Sequence, residues 1–323
     1  MTRASLFFRF SAVLVAITAS AASAQNYPSR PVKIVVPFSA GGVADITARV
    51  LSQKMSETIG QQVLVENRPS AGGIIASDAV AKSDPDGYTL LFMTNGNALS
   101  VSLFKALPYD TVKDFAPVST VGFFDLVLVV DSASKIASVR DLLAYGKANP
   151  NKLNIGTINI GSTQNLAAEL FKSMSGIDAQ VVPFKATPMV ITALKGNDVQ
   201  AAFEILAPVM AQVKGGALKA VAVTSDRRYP GFPDVPTIAE SGVPGYQASS
   251  WNAVAAPAKT PKAVIEKLNQ EVNAAVAAPE VRKRLDELGV DARAGTPEAL
   301  AALLASEIAK WRGVIERAKI EPQ

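Results

Sequence analysis

The chain has 323 residues, 49% of them hydrophobic, and a formal net charge of +4. It contains no histidine and no cysteine, which excludes Ser-His-Asp catalysis, His- or Cys-ligated metal sites, thiol nucleophiles and disulfides. A charge this close to neutral gives no reason to invoke nucleic acid, and the length suits two domains with sizeable cores.

Residues 1–24 read as a secretory signal rather than an anchor helix. Arg3 and Arg9 form a positive start, Phe10 to Ala19 an apolar stretch, and Ala22-Ser23-Ala24 a small-residue cleavage site. No cysteine follows to carry a lipid, so a periplasmic mature protein is expected. Its cleavage removes both arginines and lowers the net charge to +2.

Val32 to Val36 reads as a buried strand and leads into Pro37 to Arg49, PFSAGGVADITAR, which opens an amphipathic helix reaching about Ile59. Strand, glycine turn and helix start together place several unpaired backbone N–H groups in one concavity, and the helix dipole adds positive potential. Such a turn can capture a carboxylate. It can equally be an ordinary βα turn in which Asp45 pairs with Arg49.

Val63 to Asn67 reads as a second strand, followed by a glycine turn at Gly72-Gly73 and a helix over 74–82. Tyr88 to Met93 reads as a third strand ending in polar Thr94-Asn95-Gly96-Asn97. Strands alternating with helices predict an open parallel sheet, whose ligands bind at the carboxyl ends of its strands. Ser39, Asn67, Gly72, Thr94 and Asn97 all fall on that rim.

Pro108 to Pro117 reads as a proline-bounded loop and Phe124 to Val130 as a strand crossing between domains. A second strand–glycine–helix unit then follows. Lys152 to Gly156 leads through Gly161 to a helix over Thr163 to Ser175, with Ser162 as N-cap and Asn165 three positions on. Two such helix starts facing across a cleft could grip both ends of a short dianion.

Val181 to Lys185 is read as a strand whose lysine reaches either the cleft or solvent. Val199 to Ile205 is another strand, carrying Glu204 among apolar neighbours. A buried acid is costly unless paired or wet, so Glu204 either balances a cation, with Lys185 the candidate, or meets an amino group of a ligand. Leu218 to Thr224 is a further strand. Ala248 to Ala255 reads as the return crossing, with Trp251 on a cleft wall, and the chain from Thr260 onward is helical. The sequence lacks G-x-S-x-G, S-x-x-K, a P-loop and a metal-type cluster of acids. An enzyme is therefore not expected, and neither a cofactor nor a metal.

Taken together, these segments resemble the substrate-binding proteins of tripartite tricarboxylate transporters, the Bug or TctC-like family. The resemblance runs from Tyr27-Pro28 to Gln323. It is carried by the PFSAGGVADITAR turn, Glu66-Asn67-Arg68-Pro69 with Gly72-Gly73, and Pro85-Asp86-Gly87-Tyr88-Thr89-Leu90. Leu107-Pro108-Tyr109-Asp110, Pro233-Asp234-Val235-Pro236-Thr237 and Trp251 with Ala256-Pro257 add to it. The resemblance implies an α/β fold of the type II periplasmic binding protein class, two open doubly wound sheets joined by two crossing strands. Domain 1 would comprise 25–125 and 253–323, and domain 2 residues 126–252.

It further implies a ligand carboxylate held by Phe38, Ser39, Ala40, Gly41, Gly42 and Asp45 on one side. Ser162, Thr163 and Asn165 would stand on the other, with Thr94, Asn97, Phe184, Lys185 and Glu204 lining the walls. The family's usual histidine is Asn165 in this chain, and its usual tyrosine–lysine–glycine is Phe184-Lys185-Ala186. The implied partners are a small organic acid (mono-, di- or tricarboxylate, amino-acid-like or aromatic) and inner-membrane transporter subunits, for a monomeric protein. A sensor subunit of a signalling system is the alternative. A cofactor-free hydrolase or isomerase using Asp45 or Glu204 with Lys185 is a more distant one.

Overall fold

The structure, a computed structural model, describes residues 27–322; the expected signal segment lies outside them. Strand β1 (Val32–Val36) runs parallel to β2 (Val63–Asn67) and β3 (Thr89–Thr94). Its residues are apolar on both faces because both faces are covered. Val32, Ile34 and Val36 pack with Leu51 and Met55 of α1 (Val43–Thr58) and with Leu268 and Val272 of α8 (Lys262–Ala277). Val35 points the other way, toward Ala76 and Val80 of α2 (Ile74–Ala81) and Leu300 and Leu304 of α10 (Pro297–Arg317).

The crossing strand is longer than the sequence suggests. β4 (Phe115–Asp131) has 17 residues and takes in Phe115 to Pro117, the end of the segment expected to be loop. Pro117 has no N–H to give to a ladder, and the register slips between Pro117 and Ser119, and again between Thr120 and Gly122. Irregularities of this kind let a proline sit within a strand. Residues 115–125 of β4 pair antiparallel with β9 (Ser249–Pro257). From Leu126 onward it pairs instead with β7 (Ala201–Ile205) and β8 (Leu218–Val223). β7 runs parallel to β5 (Asn154–Ile158), which pairs with β6 (Gln180–Phe184). One strand thus belongs to two sheets, and the seam falls between Asp125 and Leu126. We propose that the chain divides there into 25–125 with 253–323, and 126–252.

The second sheet is covered by α4 (Val139–Ala148) and α5 (Thr163–Ser175) on one face. On the other lie α6 (Thr187–Lys195) and α7 (Leu206–Lys214). Leu166, Leu170 and Phe171 of α5 are all buried, each contributing about 1.5–3 kcal/mol by removal from water. Helix α10 spans both halves. Its Leu300, Leu304 and Ile308 pack in the first, whereas Trp311, Val314 and Ile315 join the core of the second. A short α9 (Pro279–Glu287) and β10 (Val290–Ala292), which pairs with β4, complete the described elements.

Two further expectations change. Thr94 to Asn97, read as the polar end of the third strand, opens a helix instead: α3 (Asn95–Leu103) starts directly at the end of β3. Asn-Gly-Asn is a poor helix start by propensity, but the Asn97 Oδ1 accepts from the Thr94 N–H at 2.9 Å and its amide donates to Ser77 Oγ at 2.8 Å. Trp251 lies on no cleft wall. It is fully buried among Val35, Leu91, Ala255 and Leu304.

Candidate functional site

The two strand–glycine–helix units are built alike. In the first, Gly41 adopts φ +88°, a left-handed conformation that favours glycine, and Gly42 caps α1. Asp45 reaches back one turn, and its Oδ2 accepts from the Gly41 N–H at 2.8 Å. The same oxygen accepts from Arg49 Nε at 3.0 Å, and Oδ1 accepts from Asn67 Nδ2 at 2.9 Å. Asn67 also donates to the Phe38 carbonyl at 2.9 Å and accepts from Arg49 at 3.0 Å. Burial alone would raise the Asp45 pKa, but the donors from Arg49, Gly41 and Asn67 outweigh it and hold the carboxyl below its usual range. Asp45 thus makes the Arg49 pair of the ordinary-turn reading and also ties its carboxylate to the glycine turn.

In the second unit Gly161 has φ +78° and Ser162 caps α5, its Oγ accepting from the Asn165 N–H at 3.1 Å. Asn165 stands where Asp45 stands. Its Oδ1 accepts from the Gly161 N–H at 3.0 Å, and its amide lies 3.4 Å from Thr157 Oγ1. The Ile158 carbonyl, the counterpart of Phe38's, accepts from Ser162 Oγ at 2.8 Å. Each helix start leaves first-turn N–H groups without intrahelical carbonyl partners, and the helix dipole adds positive potential at both concavities.

The α5 start meets the first half of the molecule directly. Asn95, the first residue of α3, donates from Nδ2 to Thr163 Oγ1 at 2.8 Å, and its Oδ1 accepts from Ser250 Oγ on β9 at 2.8 Å. Asn95 and Thr163 are both buried. Leu103 of α3 lies over Gly161, 3.0 Å from where a side chain there would begin. Asn95, which bridges the two halves, was not singled out by sequence reasoning. The signal available was its place between two other rim polars.

Of the remaining expected residues, Ser39, Ala40 and Gly42 are exposed on the first turn and Phe38 is 44% exposed. Thr94 and Asn97 are buried, and the Asn97 amide is taken up by Thr94 and Ser77. Phe184 ends β6 half-buried and Lys185 beyond it is exposed. Glu204 is fully buried at the end of β7, its register partner on β4 being Val127. Its Oε2 accepts from Thr187 Oγ1 at 2.9 Å, and its Oε1 is buried without a partner. The suggested pairing with Lys185 does not form: Lys185 enters no ion pair among the described residues. Among the described residues no acid cluster could hold a metal ion, and no helix is long and apolar enough to cross a membrane.

Residues 47–320 match the model of the tripartite tricarboxylate transporter family receptor. The chain is 38% identical to protein BugT of Bordetella pertussis, over 92% of each chain. An R. palustris protein solved with adipate superposes with a TM-score of 0.77 at 34% identity, covering 92% of this chain and all of that one. MatC of Rhodopseudomonas palustris, with bound malate, gives 0.72 at 32% identity over 90% of this chain and all of its own. The same construction at two helix starts, the shared two-sheet architecture and these matches lead to one conclusion: the chain belongs to the tripartite tricarboxylate transporter receptor family.

Proposed function

We propose that this protein is a periplasmic solute-binding protein that captures a small organic carboxylate between the α1 and α5 starts and delivers it to membrane transporter subunits. The observation that carries the reading is the duplicated receptor: two glycine turns of matching construction, with Asn95 and Thr163 tying the halves together beside one of them. The adipate and malate held by the two structural neighbours support the ligand class. In this reading the main chain of 39–42 and of 162–164 faces the ligand. Asp45, Asn97 and Asn165 position that main chain, since protein groups already occupy the hydrogen bonds described above. No chemistry is made or broken, and no nucleophile–base pair stands in the site.

A thermal-shift panel of mono-, di- and tricarboxylates, amino acids and aromatic acids tests it. A true ligand at about 100 times its dissociation constant stabilises by roughly 2.7 kcal/mol. A neutral sugar that raises the melting temperature while no carboxylate does would overturn the reading.

A further inference from the structure

Glu204 is the one buried acid of the second half that the receptor geometry leaves unexplained. It sits where the starts of α5 and α6 converge, fully buried, with Thr187 of α6 donating to one oxygen and the other oxygen buried without a partner. Gln164, in the first turn of α5, also stands beside the carboxyl. The groups on the elements packed around it do not titrate: Thr187 from α6, Gln164 from α5, Val127 across β4, and Leu206 at the start of α7. No lysine or arginine pairs with it among the described residues. An unpaired carboxylate in such a place costs far more than a neutral acid does. A neutral acid, in turn, carries an O–H that needs an acceptor, and Oε1 makes no hydrogen bond among the described residues.

We propose that Glu204 meets the bound ligand as a neutral acid, its O–H donating to a ligand carboxylate oxygen seated at the α5 start, so that binding takes up one proton from solvent. The inference rests on the carboxylate reading above and deepens it. An anion beside Glu204 disfavours a second negative charge there and fixes the proton in place. The carboxyl is already pushed up to about 7 by burial, against the opposing pull of Thr187, Gln164 and the Ile205 backbone. A ligand amine would demand the reverse: a charged Glu204, a proton released, and binding that strengthens as pH rises. With no protein cation beside it among the described residues, Glu204 is held neutral by burial before binding. A ligand carboxylate takes its O–H without the ionisation that an amine would require, hence the expectation of ligands with no ammonium group at that end.

Two measurements test this. The carboxyl of Glu204, followed by carbon NMR in the ligand-free protein, titrates with a midpoint near 7, and the midpoint rises when the tightest carboxylate of the panel is added. A midpoint below 5 in the free protein overturns the proposal without reference to any ligand. Calorimetry with that same carboxylate, or with adipate and malate as probes, shows affinity level below pH 7 and falling by up to about tenfold per pH unit above it. Proton uptake appears as a dependence of the heat on the buffer. Glu204→Gln, with an amide N–H in place of the acid O–H, removes both the slope and the buffer dependence. Affinity that rises with pH, or a slope that survives Glu204→Gln, overturns the role of Glu204 while leaving the carboxylate reading intact. Failure of every carboxylate to bind at pH 6 overturns both.

Discussion

The two glycine turns share a backbone and differ in almost everything laid upon it. The first is open: residues 38–42 are exposed, α1 has no side-chain cap, and its acid Asp45 is charged and neutralised by Arg49. The second is half-covered by Leu103, capped by Ser162, and holds neutral Asn165 in the place of the acid. An anion approaching the first turn meets a net-neutral Asp45–Arg49 pair. At the second it meets no fixed negative charge if Glu204 is protonated. The same backbone construction therefore stands in two settings. One copy is an accessible rim and the other is desolvated, where a hydrogen bond to a charged group counts for more.

The widest separation between the two comes from their acids, which respond to pH with opposite sign. Glu204 has a folded pKa of about 7 against an ordinary 4.5. Its contribution to stability is thus fully present below about 4.5 and lost as pH rises through 7, an effect of about 3 kcal/mol. Glu204→Gln should stabilise the ligand-free protein by that order at pH 8.5 and by little at pH 4, read by urea melts at both. Asp45 is held below its ordinary value, so its contribution is present above about pH 4 and fades as pH falls through the folded value. Asp45→Asn should cost stability at pH 7 and little at pH 2. Parallel rather than opposed profiles would dissolve the contrast.

Next in size is the difference between the two left-handed glycines. Gly41→Ala places its methyl in open space and costs only the backbone strain, about 1–2 kcal/mol. Gly161→Ala incurs the same strain and also meets Leu103 at 3.0 Å, so Leu103 must shift or the halves part. It should cost about 1 kcal/mol more and weaken binding further than Gly41→Ala does. Equal melting temperatures for the two variants would mean that Leu103 yields freely and the second turn is no tighter than the first.

Asp45→Ala comes below that. It strips a partner at once from the Gly41 N–H, Asn67 and Arg49, and should cost about 1–3 kcal/mol while loosening the turn enough to weaken carboxylate binding. Affinity unchanged in a folded Asp45→Ala protein would reduce the acid to its surface pairing with Arg49.

Much of this was legible in the sequence, and what was not has physical reasons. The apolar run at Val32–Val36 and the start and end of α5, with its Ser162 cap, are local signals that tertiary packing reinforces. The α3 helix was hidden because Asn95-Gly96-Asn97 has the composition of a turn, and only Asn97's bond back to Thr94 and packing against α10 make it helical. Pro117 hid the first half of β4, since the register slips that admit a proline leave no mark in composition. Trp251 looked like a cleft residue for its size, yet strand alternation sends it into the core, opposite Ser250 and Asn252. Lys185 was offered to Glu204 as a strand-end lysine able to reach the cleft, whereas the groups beside the carboxyl, Thr187 and Gln164, belong to helices whose starts only the folded sheet brings together.

The smallest expected effect is also the most direct exchange between the two turns. Gly42 has φ −78°, ordinary for any residue, and a side chain begun there would meet only the Ser39 carbonyl at 3.9 Å. Gly42→Ser would therefore give α1 the cap that Ser162 gives α5, its Oγ accepting from the N–H of Asp45 as Ser162 accepts from that of Asn165. Serine exceeds glycine as an N-cap by only a few tenths of a kcal/mol, so the melting temperature should rise slightly. The hydroxyl also places a new group in the concavity and claims one of its free donors. If the open first turn binds the ligand through those donors, affinity should fall severalfold even as stability climbs. Should affinity hold or improve, the first turn contributes to the fold and to access alone, and the carboxylate is gripped by the α5 seat.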